Sequence, residues 1–214
     1  MKILVISDTH GQHQHLDLTK YEADVLVHAG DWTRGHDIGL LETEQFMKWL
    51  SEQPFKHKIC IAGNHETSVE DYNSDIPIPD NVIFLKDSEV IIDGIKFYGS
   101  PYSNEFCGWA FMEEEVGLSK IWAKIPEDTN VLITHGPAYG VLDLVKNSYG
   151  RDPHVGSKSL TYRKQTIQDA LQLHICGHIH EAYGIVKGKA FTTVNAAVLN
   201  EHYQLVNKPQ LIEI

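Results

Sequence analysis

Short aliphatic runs recur along the chain, and each one stops at glycine or polar residues. Residues 3–6 (ILVI) lead into Ser7-Asp8-Thr9-His10-Gly11, and residues 25–27 (VLV) into His28-Ala29-Gly30-Asp31. Residues 59–61 (ICI) lead into Ala62-Gly63-Asn64-His65-Glu66. Residues 131–133 (VLI) run into Thr134-His135-Gly136-Pro137, and residues 171–176 (LQLHIC) into Gly177-His178-Ile179-His180. Runs of this length and composition predict buried β-strands. Helical spacing fills the gaps between them. Residues 38–52 place Leu41, Phe46, Trp49 and Leu50 near one stripe, and residues 110–123 do likewise around Gly117. A third helix is predicted over residues 157–171. Strands alternating with helices predict a layered α/β fold.

Two stretches depart from the alternation. Residues 82–99 read as consecutive short strands, with Asp93-Gly94 a hairpin turn. Residues 183–214 are also strand-rich, with turns at Gly188-Lys189 and near Lys208-Pro209. Repeats, low-complexity segments and linkers are all lacking, so one domain over residues 1–214 is expected.

Composition narrows the class. Apolar residues make up 42% and charged residues 22%, the balance of a soluble globular protein. No apolar run approaches the roughly 20 residues that span a bilayer. The opening MKILVISDTH reads as a strand and not as a signal peptide. Cys60, Cys107 and Cys176 are scattered and odd in number, which fits small buried hydrophobes in a reducing, cytoplasmic setting. A net charge of −11 without a basic cluster argues against duplex DNA binding. An anionic substrate would then need positive charge from bound metal.

The strand ends supply the donors for such metal. In open α/β sheets, ligands bind beyond the carboxyl ends of the strands. Asp8 and His10 are two apart after one strand, and His178 and His180 repeat that spacing after another. If the chain stays extended there, each pair faces one site. Asp31, Asn64 and His135 come from three further strand ends. Each fragment alone also reads as a turn, a helix cap or a core histidine. Together they form seven nitrogen and oxygen donors, suited to two divalent ions of manganese, iron, nickel or zinc sharing a carboxylate bridge.

In order and spacing these residues resemble the calcineurin-like metallophosphoesterases. That family's pattern is matched by Asp8-Thr9-His10, Gly30-Asp31, Gly63-Asn64-His65-Glu66, His135 and Gly177-His178-Ile179-His180. The resemblance implies a four-layer α-β-β-α sandwich. It further implies that Asp8, His10 and His180 bind a first metal, Asn64, His135 and His178 a second, and that Asp31 bridges them. His65 would be the general acid, and Asn64 would also touch a phosphate oxygen. The stretches Tyr98-Gly99-Ser100-Pro101, Gly108-Trp109-Ala110-Phe111, His154-Val155-Gly156 and His180-Glu181, together with Glu66, are most similar to the MPPED-type branch. That branch is implicated in cyclic nucleotide phosphodiester hydrolysis.

The expectation is therefore a metal-dependent phosphodiesterase acting through a metal-bridging hydroxide. A phosphomonoesterase, a nuclease or a non-catalytic scaffold on the same fold are the alternatives. Arg34 and His154 are candidates to reach substrate, and Trp32, Phe106 and Trp109 could stack on a nucleobase. His13, His15, His28, His36, His57, His174 and His202 lie outside the motif.

Overall fold

The computed structural model of the protein describes residues 1–35, 40–72, 76–146 and 153–214. His36 and the first two residues of the helix expected at 38–52 lie outside the described residues.

Two main sheets form the centre. In the first, β1 (Lys2–Ile6), β2 (Val25–Ala29), β3 (His57–Ile61) and β4 (Ile83–Phe84) run parallel. The last strand, β13 (Gln210–Glu213), closes that sheet antiparallel to β1. The second sheet begins with β5 (Ser88–Ile92) and β6 (Ile95–Ser100), and a two-stranded ribbon, β7 (Ser103–Asn104) and β8 (Met112–Glu113), follows them in the chain. β9 (Val131–Thr134), β10 (Leu173–Cys176), β11 (Gly184–Lys187) and β12 (Thr192–Asn195) complete the second sheet, in the order β11-β12-β10-β9-β6-β5. Among the described residues, four α-helices lie outside the sheets: α1 (Leu41–Ser51), α2 (Thr67–Tyr72), α3 (Glu115–Trp122) and α4 (Lys158–Thr166).

The period-2 geometry of strands explains why both faces of each run are apolar. Ile3, Val5, Val25, Val27, Ile59 and Ile61 point between the sheets, where they pack with Phe97, Val131, Ile133, Leu173 and Ile175. The alternate residues Leu4, Ile6, Leu26 and Cys60 pack outward with Phe46, Met47 and Leu50 of α1. On the second sheet, Tyr98 and Leu132 face Leu118 and Trp122 of α3 and Leu160 of α4. The result is helix, sheet, sheet, helix: the expected four layers.

The expected hairpin is present. Ile92 pairs with Ile95 across Asp93 (φ 49°) and Gly94 (φ 83°), the doubly left-handed turn that matches strand twist. Two helix expectations need correction. Leu41 is 57% exposed, and α1 instead buries Thr43, Phe46, Met47 and Leu50. Residues 110–113 are not helical: Phe111 has φ 50°, and Met112–Glu113 pairs with Ser103–Asn104. There the Ala110 amide donates to the Asn64 carbonyl (3.2 Å) and the Phe111 amide to Glu70 Oε1 (3.0 Å). Those donors are tied to the neighbouring loop and α2, so α3 begins only at Glu115.

Candidate metal centre

The strand-end loops are not extended, contrary to expectation. Asp8 (φ 54°), His10 (φ 39°), Asp31 (φ 59°) and His178 (φ 67°) all occupy the left-handed region. Each costs a non-glycine residue about 1–2 kcal/mol, so the surroundings must hold it there. The Asp8 amide donates to the Gly30 carbonyl (2.9 Å), His10 to Asp31 (3.1 Å) and Gly11 to Trp32 (2.8 Å). The His178 amide donates to both oxygens of the Asp8 carboxylate at 3.0 Å. His178 and His180 join different donor sets, whereas Asp8 and His10 share one.

Three donor groups result: Asp8, His10 and His180; Asp31, His135 and His178; and His10, Asp31 and His65. Within each group the donor atoms lie within 4.8 Å of one another. His180 Nε2 is 3.3 Å from Asp8 Oδ1 and 3.3 Å from His10 Nε2. His135 Nε2 is 2.9 Å from Asn64 Oδ1 and 3.3 Å from Asp31 Oδ2, and that same Asp31 oxygen is 3.7 Å from His10 Nε2. Asp31 thus stands between the two sets.

The ring orientations test whether this donor set suits cations. His10 Nδ1 lies 2.9 Å from the Thr33 carbonyl, His135 Nδ1 2.9 Å from Ala29, and His180 Nδ1 2.9 Å from Asn200. A carbonyl only accepts, so each Nδ1 carries a proton and each Nε2 is the ring atom turned to the donor set. Nε2 of His180 and Nε2 of His135 each lie 3.3 Å from a carboxylate oxygen, of Asp8 and of Asp31. Against the effect of burial those carboxylates raise His180 to about 9 and His135 to about 10, so without metal each of these rings carries a second proton, on Nε2. The positive charge those protons bring is what a cation would supply in their place, and the donors fit divalent ions.

Electrostatics agree. Burial opposes ionisation of Asp8, yet the hydrogen bond and charge of His180 hold it below the usual carboxylate range. Asp31 is likewise held low by His135 against the effect of its burial. Burial pushes His10 and His178 down to about 4, so both are neutral donors near neutral pH.

Close approach requires glycine at two positions. A Cβ on Gly63 would meet Asp31 Oδ1 and lie 2.7 Å from the His135 ring. One on Gly30 (φ 95°) would lie 2.6 Å from His135 Nδ1. Glu66, fully buried, braces the Asp31 loop by accepting from the amides of Asp31 (2.8 Å), Thr33 (2.9 Å) and Gly63 (2.6 Å).

His65 lies beside the centre, with Nε2 3.9 Å from Asp31 Oδ2 and its ring 4.4 Å from the rings of His10 and Trp109. Unlike the three anchored histidines, its buried Nδ1 takes no hydrogen-bond partner among the described residues. Trp109 is 46% exposed and Phe106 81% exposed, so neither packs in the core. Both line a cavity of about 640 Å³ that reaches Asp31, Asn64 and His178. Arg34 and Tyr203 line an adjoining hollow with His10 and His65. Trp32 is fully buried and stacked on Phe46, which removes it from any substrate role. His154 is held by the buried Asp143 (2.6 Å), and its neighbours Pro153 and Val155 line the cavity. All three cysteines are free, but Cys107 is exposed and only Cys60 and Cys176 are the buried hydrophobes expected. Tyr203 and the carbonyls of Thr33, Ala29 and Asn200 carried no signal in the sequence.

A model of the calcineurin-like phosphoesterases matches residues 1–182. The chain belongs to the calcineurin-like phosphoesterase family. Metallophosphoesterase domain-containing protein 1 of Homo sapiens is 36% identical over 241 residues, covering 100% of this chain and 71% of that protein. A UPF0046 protein of Caenorhabditis elegans is 35% identical over 228 residues, covering 98% and 73%. An uncharacterized protein of Methanocaldococcus jannaschii is 30% identical over 196 residues, covering 87% and 84%. The likeness to the human protein matches the MPPED-type resemblance read from the sequence. As a calcineurin-like phosphoesterase the chain is a hydrolase of phosphate esters, and the family implies divalent metal cofactors, for which the His/Asp clusters are the candidates. Among the described residues no helix is long and apolar enough to cross a membrane.

Proposed function

We propose that the chain, as one phosphoesterase domain over residues 1–214, hydrolyses phosphodiesters of small organic alcohols, cyclic nucleotides among them. Asp8, His10 and His180 hold one divalent cation, Asn64, His135 and His178 the other, and Asp31 serves both. When bound, the two cations supply Lewis acidity that makes water ionisable near neutral pH and balances charge on the phosphoryl oxygens.

The chain's own residues do the rest. Asn64 turns its Oδ1 to His135, which leaves its amide hydrogens for a phosphoryl oxygen in the cavity. His65 protonates the leaving alcohol. Three of the four proposed histidine ligands fix their second ring nitrogen on a carbonyl and His65 does not, which supports that role.

The observation that carries the diester reading is the wall beside the donors. Phe106, Trp109, Val145, Pro153 and Val155 give an organic substituent an apolar seat. Among the described residues that line this cavity, no lysine or arginine meets the second charge of a monoester.

The test is a substrate panel on protein stripped and reloaded with manganese, iron, nickel or zinc. Bis-nitrophenyl phosphate and the 2′,3′- and 3′,5′-cyclic nucleotides should turn over faster than nitrophenyl phosphate. Inert diesters with a brisk monoester reaction would overturn the proposal. His65→Ala should keep both metals and lose about 10²- to 10⁴-fold in kcat. Loss of metal in that variant would make His65 a ligand in the group it shares with His10 and Asp31.

A further inference from the structure

Between the second sheet and α4 lies a buried polar chain that the hydrolytic chemistry does not use. Lys164 (4% exposed) reaches inward from α4, with Nζ 2.8 Å from His174 Nδ1 and 3.3 Å from Thr193 Oγ1. No carboxylate is among these partners. His174, fully buried on β10, places Nε2 2.9 Å from Thr134 Oγ1, and that hydroxyl lies 2.6 Å from the Gly136 carbonyl.

The direction of every bond can be read from both ends. An ammonium only donates, so His174 Nδ1 must accept and its proton must sit on Nε2. Nε2–H then donates to Thr134. From the other end, the Gly136 carbonyl only accepts, so the single Thr134 hydroxyl hydrogen is spent there. Thr134 Oγ1 must therefore accept from His174, which requires the same tautomer. Both derivations agree. Burial pushes the Lys164 ammonium down to about 8, and burial with the Lys164 charge beside it holds His174 neutral.

An ammonium buried without a carboxylate is costly, so its retention calls for a role beyond packing. The chain ends on the two residues that flank His135. There the backbone is gripped tightly: Gly177 donates to the His135 carbonyl (2.9 Å), and a Cβ on Gly136 would lie 2.8 Å from Ser103 Cβ.

We propose that Lys164, His174 and Thr134 are positioning residues for His135, locking the Thr134-His135-Gly136 turn so that His135 Nε2 holds its place in the donor set with Asp31 and His178. The inference rests on the metal-centre reading above. Manganese titration calorimetry and metal-free thermal denaturation of four proteins test it. Lys164→Met and Thr134→Val should each weaken one of the two manganese sites by about 10-fold or more, the range seen when a ligand's outer support is removed. Thr134→Ser, which keeps the hydroxyl, should bind as the parent does. Lys164→Met leaves His174 Nδ1 without its donor and should melt below the parent, so its manganese affinity is read at a temperature where the metal-free denaturation curves show both proteins folded. If Lys164→Met does not fold, the Val and Ser pair at Thr134 decides the question. Nitrogen-15 spectra of the parent should show His174 as the neutral Nε2–H form. A proton on Nδ1, unchanged manganese affinity in Thr134→Val, or Thr134→Ser as weak as Thr134→Val would overturn the proposal. A parent protein that takes up no manganese would bring down the metal-centre reading and this inference with it. Unaffected variants of a manganese-binding parent would sink this inference alone.

Discussion

Four donors converge on the carboxylate of Glu66. Oε2 takes the amides of Asp31 and Gly63, while Oε1 takes the amide and hydroxyl of Thr33. Burial and the nearby Asp31 charge push this carboxyl up, while the amide donors on both oxygens favour its ionised form. In Glu66→Gln an NH₂ group would face backbone donors, leaving at least one amide without an acceptor. Stability should fall by about 2 kcal/mol in urea denaturation, and metal content should fall as the Asp31 loop relaxes. At this scale the proposed donor side chains Asp8, His10, Asp31, Asn64, His135, His178 and His180 could be singled out because they stop aliphatic runs at the carboxyl ends of strands in both sheets. The acceptors that orient their rings could not. The carbonyls of Thr33, Ala29 and Asn200 belong to the main chain, which looks alike in every residue type. Asn200 also lies twenty positions beyond its partner His180.

Among the elements, α3 and α4 are joined at their N-terminal ends through one hydroxyl. Ser157 caps α4 by accepting from the Leu160 amide (3.1 Å). It also accepts from Trp122 Nε1 (3.0 Å) and donates to Glu115 Oε1 (2.9 Å). Ser157→Ala would remove the cap and leave the Trp122 ring nitrogen buried without a partner. The expected cost is about 2 kcal/mol in urea denaturation, at the upper end for a cap. Element boundaries were legible where local chemistry decides them, as at Asp93-Gly94, where both residues take the left-handed angles the turn demands. They failed where tertiary contacts decide. Nothing local in residues 110–113 announces that the Phe111 amide bonds to Glu70 on α2. Leu41 fits a helical stripe in the sequence but begins the helix on its solvent side.

Taken whole, the molecule buries imidazoles in its layers as well as at its metal centre. His28 lies on β2, fully buried against Phe46, with Nε2 3.0 Å from Thr9 Oγ1. Burial lowers it from 6.5 to about 3. The unfolded chain therefore takes up a proton below pH 6.5 that the folded protein refuses. Stability is fully present above that pH and declines as pH falls towards 3, by about 1.4 kcal/mol per pH unit from this group. His28→Gln should flatten the decline by that amount when urea midpoints are compared at descending pH; an unchanged slope would place the acid sensitivity elsewhere. The layer order was legible at this scale because runs such as residues 3–6 are apolar on both faces, as strands covered on both sides must be. The closure of the first sheet by β13 was not. That pairing joins the two ends of the chain, and no local pattern announces a partner that far away.

Every proposed metal donor emerges where a parallel strand finishes, so the rim where those strands begin takes no part in the proposed chemistry. Glu127, exposed in the turn that leads from α3 into β9, sits on that idle rim. The four residues of β9 separate it from His135 by roughly 13 Å of chain. A dye, surface tether or fusion partner attached there would leave the hydrolytic face open to solvent.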